Sequence, residues 1–324
     1  MIEQDTLKNI RNKNLSDILQ VLRNKGECSL AELTENIDGS LTTVKKCVLQ
    51  AMDLGMIIEG DIADSTGGRK AKRYLINEQY QYFLLMIVDN NDLIIRIMNF
   101  KYICVENYSI HFEMNEFYGV LCRNISKVKE KYDIATLCLS LPCVVKDGII
   151  LDWYYNPILD GIDLKSVLES KYGLNVIVQN DMKLTVIGES TENMQNTKDI
   201  VTVQFGHNGI GLGAMANGHL LEGFCGFAGE VGYLRDLRKN IMGTAYPSKI
   251  VRNAIIFLNP GIIVFYRSGR QNQFSEIFNK AIAGLPNYAI PKFVISDDYN
   301  NSIVTGLISL INKYGFYKKV EEEN

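Results

Sequence analysis

Two short polar clusters in the first 80 residues have side chains suited to contacting duplex DNA. Threonine methyls suit thymine, and lysines suit phosphate or guanine. The first cluster starts one predicted helix and consists of Ser40, Thr42, Thr43, Lys45 and Lys46. The second places four cations within five residues, directly after two glycines: Arg69, Lys70, Lys72 and Arg73. A charge run of this kind also occurs in ordinary solvated turns, so its meaning depends on the elements around it.

Three predicted helices and a hairpin would position these clusters. Apolar spacing over 16–24 predicts an amphipathic helix, and Ser29 with Glu32 forms a capping box for a second helix. Ser40 can cap a third helix over 41–53, whose predicted buried stripe is Leu41, Val44, Val48, Ala51 and Met52. The extended runs MIIEGDI and AKRYLIN then flank the turn segment DSTGGR. This order is typical of a winged helix-turn-helix, with a generic small helical bundle as the alternative. When the run of four cations follows a winged helix-turn-helix pattern, it favours a DNA-binding function.

The chain changes character near residue 77. From Tyr80 onward, buried strands alternate with helices, which predicts a mixed α/β fold. We therefore expect a DNA-binding domain over 1–77 and a second domain over 78–324. The second domain is expected to have two lobes, 78–185 with 302–324 and 186–301. The sequence shows no internal repeat.

Composition limits the classes of function. The 324 residues are 47% hydrophobic and carry a net charge of −3, which excludes a chain coated in basic charge. Residues 1–80 hold 11 Lys+Arg and 12 Asp+Glu, so only the two clusters are basic and tight DNA binding would need a dimer. Seven cysteines without a CxxC pair favour reduced thiols in the cytoplasm. The sequence has no stretch typical of a signal peptide or a membrane span.

Several motifs together resemble the ROK family, which contains sugar-responsive repressors and sugar kinases. The head resembles the family's regulators in LAELTENIDGSLTTVKKCVLQAMDLGMI and STGGRKAKRYLIN. LSLPCVVKDGIILDWYYNP, VIVQNDMKL, VTVQFGHNGIGLGAMANGHLLEGFCGFAGEVGYL and NPGIIV resemble the kinase-like part. The resemblance implies a winged helix-turn-helix followed by a two-lobed actin/hexokinase-like (ribonuclease H-like) ATPase fold.

The resemblance also implies nucleotide elements that this sequence lacks. Where the family has Asp-x-Gly-Gly-Thr after the first strand, this chain has Ile87, Asp89, Asn90 and Asn91. An aspartate in a phosphate loop repels ATP. The late Gly-Gly pair is reduced to Gly269, although Gly206, Gly209, Gly211 and Gly213 keep a glycine-rich signature that a tight hairpin would also explain. We therefore expect no kinase activity, no catalytic residue and no bound cofactor.

Four positions match residues with which the family holds sugar hydroxyls: Asn156, Asn180, Asp181 and Glu230. Structural alternatives are an Asn-Pro turn for Asn156 and a helix N-cap for Asp181, whereas Glu230, flanked by Gly229 and Gly232, is harder to explain structurally. The family's next histidine is Tyr233 here, and no cysteine follows it, so no metal site is expected.

These expectations combine into a cytoplasmic transcriptional regulator of carbohydrate metabolism, most simply a repressor. Its predicted partners are a DNA operator, a sugar or sugar-derived effector, and further copies of itself in a homodimer or homotetramer. The alternatives are a ligand-independent regulator whose second domain is only a dimerisation scaffold, or an ATP-dependent sugar kinase carrying a DNA head.

Overall fold

The computed structural model describes residues 2–60, 72–193, 197–206, 209–234, 243–266 and 271–315. Three helices and a small antiparallel sheet form an N-terminal head. The head contains α1 (Ile2–Lys25), β1 (Cys28–Ser29), α2 (Leu30–Glu35), α3 (Leu41–Asp53), β2 (Ile57–Glu59) and β3 (Arg73–Ile76). The strands pair in the order β1-β3-β2.

Local capping explains where the head helices begin. The Ser29 hydroxyl accepts from the Glu32 N–H while the Glu32 carboxylate accepts from the Ser29 N–H, which confirms the predicted capping box. Ser40 caps α3 by accepting from the Thr43 N–H at 3.2 Å. The predicted stripe of α3 was wrong at one position, because Leu41 is 55% exposed. The buried face begins one turn later, at Val44.

A first five-stranded sheet follows the head. Its strands are a meander, β4 (Tyr82–Asp89), β5 (Asp92–Met98) and β6 (Cys104–His111), and then β7 (Ile134–Leu141) and β10 (Asn175–Asn180). The strand order is β10-β7-β4-β5-β6, with β7 parallel to β4 and β10 parallel to β7. The connections contain α4 (Phe117–Lys131), a hairpin of β8 (Val144–Lys146) and β9 (Ile149–Asp152), and α5 (Leu164–Tyr172).

A second five-stranded sheet has the same arrangement. It contains β11 (Ile200–Gly206), β12 (Gly209–Ala216), β13 (His219–Leu220), α7 (Ala245–Leu258), β14 (Ile262–Tyr266), α8 (Phe274–Ile282) and β15 (Lys292–Ser296). The order β15-β14-β11-β12-β13 again places a meander first and two parallel strands after it. The repetition is not visible as an internal sequence repeat, because sheet topology requires only a matching series of strands and crossovers.

Two helices pack between the sheets, α6 (Asp181–Asn193) and α9 (Tyr299–Leu310), which continues as a π-helical turn over Ile311–Gly315. They cross at two glycines. A Cβ on Gly188 would lie 2.1 Å from the Ser302 carbonyl oxygen, and one on Gly306 would lie 2.2 Å from that of Leu184. The absence of side chains at these two positions therefore lets the helix backbones touch.

One apolar cluster runs from the head into the first sheet. It joins head residues such as Leu22 and Met56 to Phe83 and Phe100 of the sheet region and to Leu307 of α9. The core of the second sheet is a separate cluster that includes Val203. The domain and lobe boundaries stated above stay predictions, and the structure adds that this cluster crosses residue 77.

Candidate functional site

The outer face of α3 gathers most of the first polar cluster. Thr42, Lys45 and Lys46 are exposed and line a shallow depression together with three residues of the following turns: Leu49, Gln50 and Asp53. Ser40 and Thr43 are also exposed, and their hydroxyls lie 2.9 Å apart, so this pair fixes the start of the helix. Leu41 and Leu49, 55% and 48% exposed, add apolar surface that the amphipathic pattern did not predict.

The second cation cluster is only partly described. Arg69 and Lys70 lie outside the described residues. Lys72 is 65% exposed and lies 2.8 Å from a Glu59 carboxylate oxygen. Arg73 is 26% exposed, and its guanidinium contacts the carboxylates of Glu27 at 3.1 Å and Glu32 at 3.4 Å. The side chain of Arg73 therefore holds β3 against the start of α2.

A cleft of about 750 Å³ lies where the two sheets face each other across α6. The first sheet contributes the end of β4 and its turn, and the second contributes the β11–β12 hairpin and the segment around Glu230. Its polar lining is dominated by carboxylates and phenols: Asp89, Asp152, Asp181, Glu230, Tyr154, Tyr155, Tyr233, Tyr246 and Tyr299. Neither lysine nor arginine is among the described residues that line it.

Asp181 lies at the centre of this cleft, at the start of α6. Its carboxylate accepts from the Tyr299 hydroxyl at 2.8 Å and from the Met182 N–H at 2.7 Å. Burial raises the pKa of Asp181 to about 6, and the nearby charge of Asp89 acts in the same direction, although both hydrogen bonds favour the carboxylate. An aspartate with this pKa can exchange a proton with a hydroxyl-bearing ligand near neutral pH.

Asn180 lines the cleft, but its side-chain amide is engaged in hydrogen bonds to the protein backbone. Its Oδ1 accepts from the Lys183 N–H at 3.0 Å, and its Nδ2 donates to the Cys143 carbonyl at 3.0 Å. Asn180, rather than Asp181, therefore makes the N-cap contact of α6. This leaves Asp181 aimed into the cleft and assigns Asn180 a positioning role.

Glu230 faces Asp181 from the second sheet's side of the cleft. Burial raises the pKa of Glu230 to about 7, Asp181 adds to the rise, and Lys183 partly offsets it. The charge of Asp181 thus disfavours the ionised form of Glu230, and a ligand that donates hydrogen bonds to these carboxylates would stabilise their charged forms.

Asn156 lies away from this pair. It is 6% exposed, its Nδ2 donates to the Met114 carbonyl at 3.0 Å, and it does not contribute to the lining of the cleft. The Asn-Pro turn that was the alternative interpretation describes its surroundings better, since Pro157 begins a 3₁₀ turn directly after it.

The two hairpins that face the cleft explain the altered nucleotide elements. Between β4 and β5, Asn90 and Asn91 form a two-residue turn in which Asn90 has φ +54°. Burial, with Asp92 adding to it, raises the pKa of Asp89 beside this turn. In the second hairpin, a Cβ on Gly213 would lie 2.0 Å from the Met182 carbonyl oxygen, so helix packing alone requires that glycine. The residues of the late glycine motif, 267–270, lie outside the described residues.

The structure adds residues that the motifs did not indicate. Tyr299 is 118 positions from Asp181 and reaches it only through the packing of α9 on α6. Tyr233, at the position of the family histidine, donates its hydroxyl hydrogen bond to Asp152 of β9 across the mouth of the cleft. No sequence motif predicts the contact of Tyr299 with Asp181 or that of Tyr233 with Asp152.

Comparisons with known proteins agree with this architecture. Residues 116–242 match the model of the ROK family. The xylose repressor of Bacillus subtilis is 24% identical over 240 residues, 72% of this chain and 62% of the repressor. The matched region thus spans about three fifths of that relative's length.

Two solved structures extend the likeness to the fold. A ROK family transcriptional regulator, described as a homologue of the Escherichia coli Mlc protein, superposes with a TM-score of 0.65 at 17% identity, covering 94% of this chain and 99% of that chain. A ROK family glucokinase from Streptomyces griseus, in complex with glucose and AMPPNP, has a TM-score of 0.55 at 12% identity, with 71% and 98% covered.

This chain carries a ROK family domain. Its mixed α/β fold is the sugar-kinase-like fold of that family. Regulators and kinases share the fold, so the function has to be argued from the residues of the cleft and the head. None of the described helices is both long enough and apolar enough to cross a membrane.

Proposed function

We propose that this protein is a sequence-specific DNA-binding transcriptional regulator of carbohydrate metabolism, acting as a repressor in the cytoplasm. The observation that carries the proposal is the exposed face of α3, where Thr42, Lys45 and Lys46 project from a helix capped by Ser40. The head would act as a winged helix-turn-helix, with α3 in the major groove and the β2–β3 hairpin beside the backbone. The names of the xylose repressor and of the Mlc homologue support the proposal.

The contact surface proposed for DNA differs from the predicted set of residues at three positions. It consists of Ser40, Thr42, Thr43, Lys45 and Lys46 on α3, with Lys72 and the wing cations Arg69 and Lys70. Arg73 is left out because Glu27 and Glu32 already neutralise its guanidinium. Leu41 and Leu49 join the surface as apolar contacts for thymine methyl groups.

DNA binding is tested by selecting duplexes from a random library with the full chain and measuring affinity by fluorescence anisotropy. Lys46→Ala should weaken binding about tenfold and reduce the salt dependence by about one counterion, since one phosphate contact is lost. Lys292→Ala, which removes an exposed lysine from the second sheet, is the matched control and should bind as the wild type does. Equal losses in both variants, or selection of no duplex, would contradict the proposal.

The cleft is proposed to bind a sugar or sugar derivative without phosphorylating it. Asp181 and Glu230 supply two acceptors that suit adjacent hydroxyls, and Asn180 holds the start of α6 in place. Asp89, with its carboxylate beside the hairpin turn, opposes the binding of ATP phosphates. Coupled assays with magnesium-ATP and a panel of sugars should therefore show no turnover.

Effector binding is tested by thermal unfolding against a panel of sugars, amino sugars and sugar phosphates. A ligand at 100 times its dissociation constant adds about 2.7 kcal/mol to the free energy of unfolding, which raises the midpoint visibly. Glu230→Gln should abolish the shift, while Glu113→Gln, an exposed carboxylate outside the cleft, should keep it. If no compound in the panel raises the midpoint of thermal unfolding, the proposal of an effector site is contradicted.

A second candidate function follows from Tyr233. Its hydrogen bond to Asp152 closes part of the cleft mouth, which favours a regulator whose ROK domain is a ligand-independent scaffold. In both cases the regulator would bind a two-fold operator as a homodimer or homotetramer. Sedimentation of the free chain should give a mass of at least two chains, and a strictly monomeric protein would contradict this.

A further inference from the structure

Helix α9 reaches from the cleft to the head. Its first residue, Tyr299, hydrogen-bonds Asp181 in the cleft, and the π-helical turn after it carries Asn312. The 13 residue steps between them correspond to about 20 Å of helix. Between the two ends, the backbone of α9 touches α6 at Gly306, so the helix has little room to bend independently.

The far end of α9 holds a half-buried cation of the head, Arg23. The Oδ1 of Asn312 accepts from Arg23 Nη1 at 3.2 Å and from the Tyr102 hydroxyl at 2.6 Å. The guanidinium of Arg23 also donates to the Phe100 carbonyl at 3.2 Å and lies 3.9 Å from the centre of the Tyr102 ring. Arg23 belongs to the last turn of α1, and Phe100 and Tyr102 follow β5, so three parts of the chain meet at Asn312.

The chemistry of this junction makes it sensitive to small displacements. Arg23 is held by neutral groups, namely a carbonyl, an amide oxygen and aromatic faces, and burial lowers its pKa. A half-buried cation with neutral partners depends on the distance to each of them, because a lost partner leaves charge that is only partly solvated. Moving Asn312 by about an ångström would therefore change how firmly α1 is held.

The π-helical turn supplies an element that can change register. A π-turn such as Ile311–Gly315 at the end of an α-helix can convert to α geometry by a small rotation within the turn itself. Such a rotation would alter the direction of the Asn312 side chain while Ile311 stays buried in the cluster shared by the head and the first sheet.

We propose that α9 couples the cleft to the head, with Tyr299 contacting Asp181 at one end and Asn312 holding Arg23 and Tyr102 at the other. Rearrangement at Asp181 is passed to Tyr299, then along α9 to Asn312, and finally to α1, which packs against α3. The coupling is a property of the folded chain. Its use as the route of regulation rests on the function proposed above.

Hydrogen exchange of the full chain measured by mass spectrometry tests the coupling without DNA or sugar. Tyr299→Phe removes only the hydroxyl that contacts Asp181, so amide exchange in 15–25 and 41–53 should become at least threefold faster. Tyr172→Phe is the matched control, since it loses a hydroxyl bond to the Cys122 carbonyl in the first-sheet region and should leave the head unchanged. Head exchange equal to that of the wild type in Tyr299→Phe would overturn the proposal.

A double-variant comparison tests the route itself. Asn312→Leu should accelerate head exchange on its own, and adding Tyr299→Phe to it should produce no further increase, because the connection is already broken. Additive effects would show that the two ends act independently and would overturn the proposal. Tyr102→Phe, which removes one hydroxyl from Asn312 and keeps the ring over Arg23, replaces Asn312→Leu if that variant does not fold.

The coupling through α9 and the proposed DNA-binding function can each fail without the other. A chain that selects no duplex can still show the coupling by exchange, in which case only the regulatory use is lost. A chain that binds DNA but exchanges its head amides independently of Tyr299 keeps the proposed function and loses this inference.

Discussion

The two halves of the molecule that follow the head, each built on one five-stranded sheet, have the same strand order and differ in what they connect. Each sheet is a meander followed by two parallel strands, β10-β7-β4-β5-β6 in one and β15-β14-β11-β12-β13 in the other. The first sheet shares its apolar cluster with the head and α9, whereas the core of the second is separate. Both halves therefore share one strand order. They differ in the segments that pack against each sheet and in the loops that reach the cleft.

The hairpin loops show the difference most clearly. The first hairpin turns on Asn90 and Asn91 and places the Asp89 carboxylate at the cleft. In the second, Gly211 and the glycine at 213 leave room for Met182 of α6, and Glu230 enters the cleft from a later loop. Each half thus contributes carboxylates to the lining of the cleft, where their like charges lie close together. The three predictions below test this comparison.

The largest expected effect concerns the helix crossing where both halves meet. Gly306→Ala would put a Cβ 2.2 Å from a backbone oxygen of α6, and helix backbones do not move apart cheaply. We expect a loss of about 3 kcal/mol in the free energy of unfolding. Urea unfolding followed by the fluorescence of Trp153, the one tryptophan of the chain, measures it. Gly119→Ala in α4 is the control, since a Cβ there meets only the end of the Arg123 side chain at 3.4 Å. Equal midpoints for both variants would show that the crossing tolerates a side chain.

A smaller effect concerns the pH dependence of stability. Asp181 and Glu230 have folded pKa values raised to about 6 and about 7, so between about pH 4 and 7 the folded state binds more protons than the unfolded state. The free energy of unfolding should therefore fall, by about 2 kcal/mol, as the pH rises from 5 to 8. Glu230→Gln should flatten this slope, whereas Glu113→Gln should not. A slope that is unchanged in Glu230→Gln, or a wild type that gains stability over this range, would refute the account.

Sequence reasoning succeeded where the signal is local. Ser29 and Ser40 cap their helices by accepting a hydrogen bond from the backbone N–H three residues later. The buried strand β7 can be predicted because it is apolar on both faces. Asp181 and Glu230 were assigned to one cleft through the family resemblance, and both line it. These features depend on residues close in the chain or on a motif of fixed spacing.

The same reasoning does not predict contacts between distant segments of the chain. Asn156 matches a family position but packs against Met114, and Arg73 belongs to a cation run but pairs with Glu27 and Glu32. Tyr299 has no motif at all and becomes part of the cleft only because α9 packs on α6. Propensity and spacing carry no information about such pairings, because tertiary packing determines them.

The smallest expected effect isolates the first hairpin's contribution to the shared charge. Asp89→Asn keeps the shape of the side chain and removes a half-buried carboxylate that raises the pKa of Asp181. Because like charges in the cleft repel one another, the variant should be more stable than the wild type at pH 8 by about 0.5 kcal/mol. At pH 5, where Asp181 and Glu230 are largely protonated, the difference should shrink. Asp38→Asn, an exposed carboxylate of the head, should change stability at neither pH. A gain that is equal at both pH values would mean that Asp89 acts on the turn itself and not on the Asp181 carboxylate.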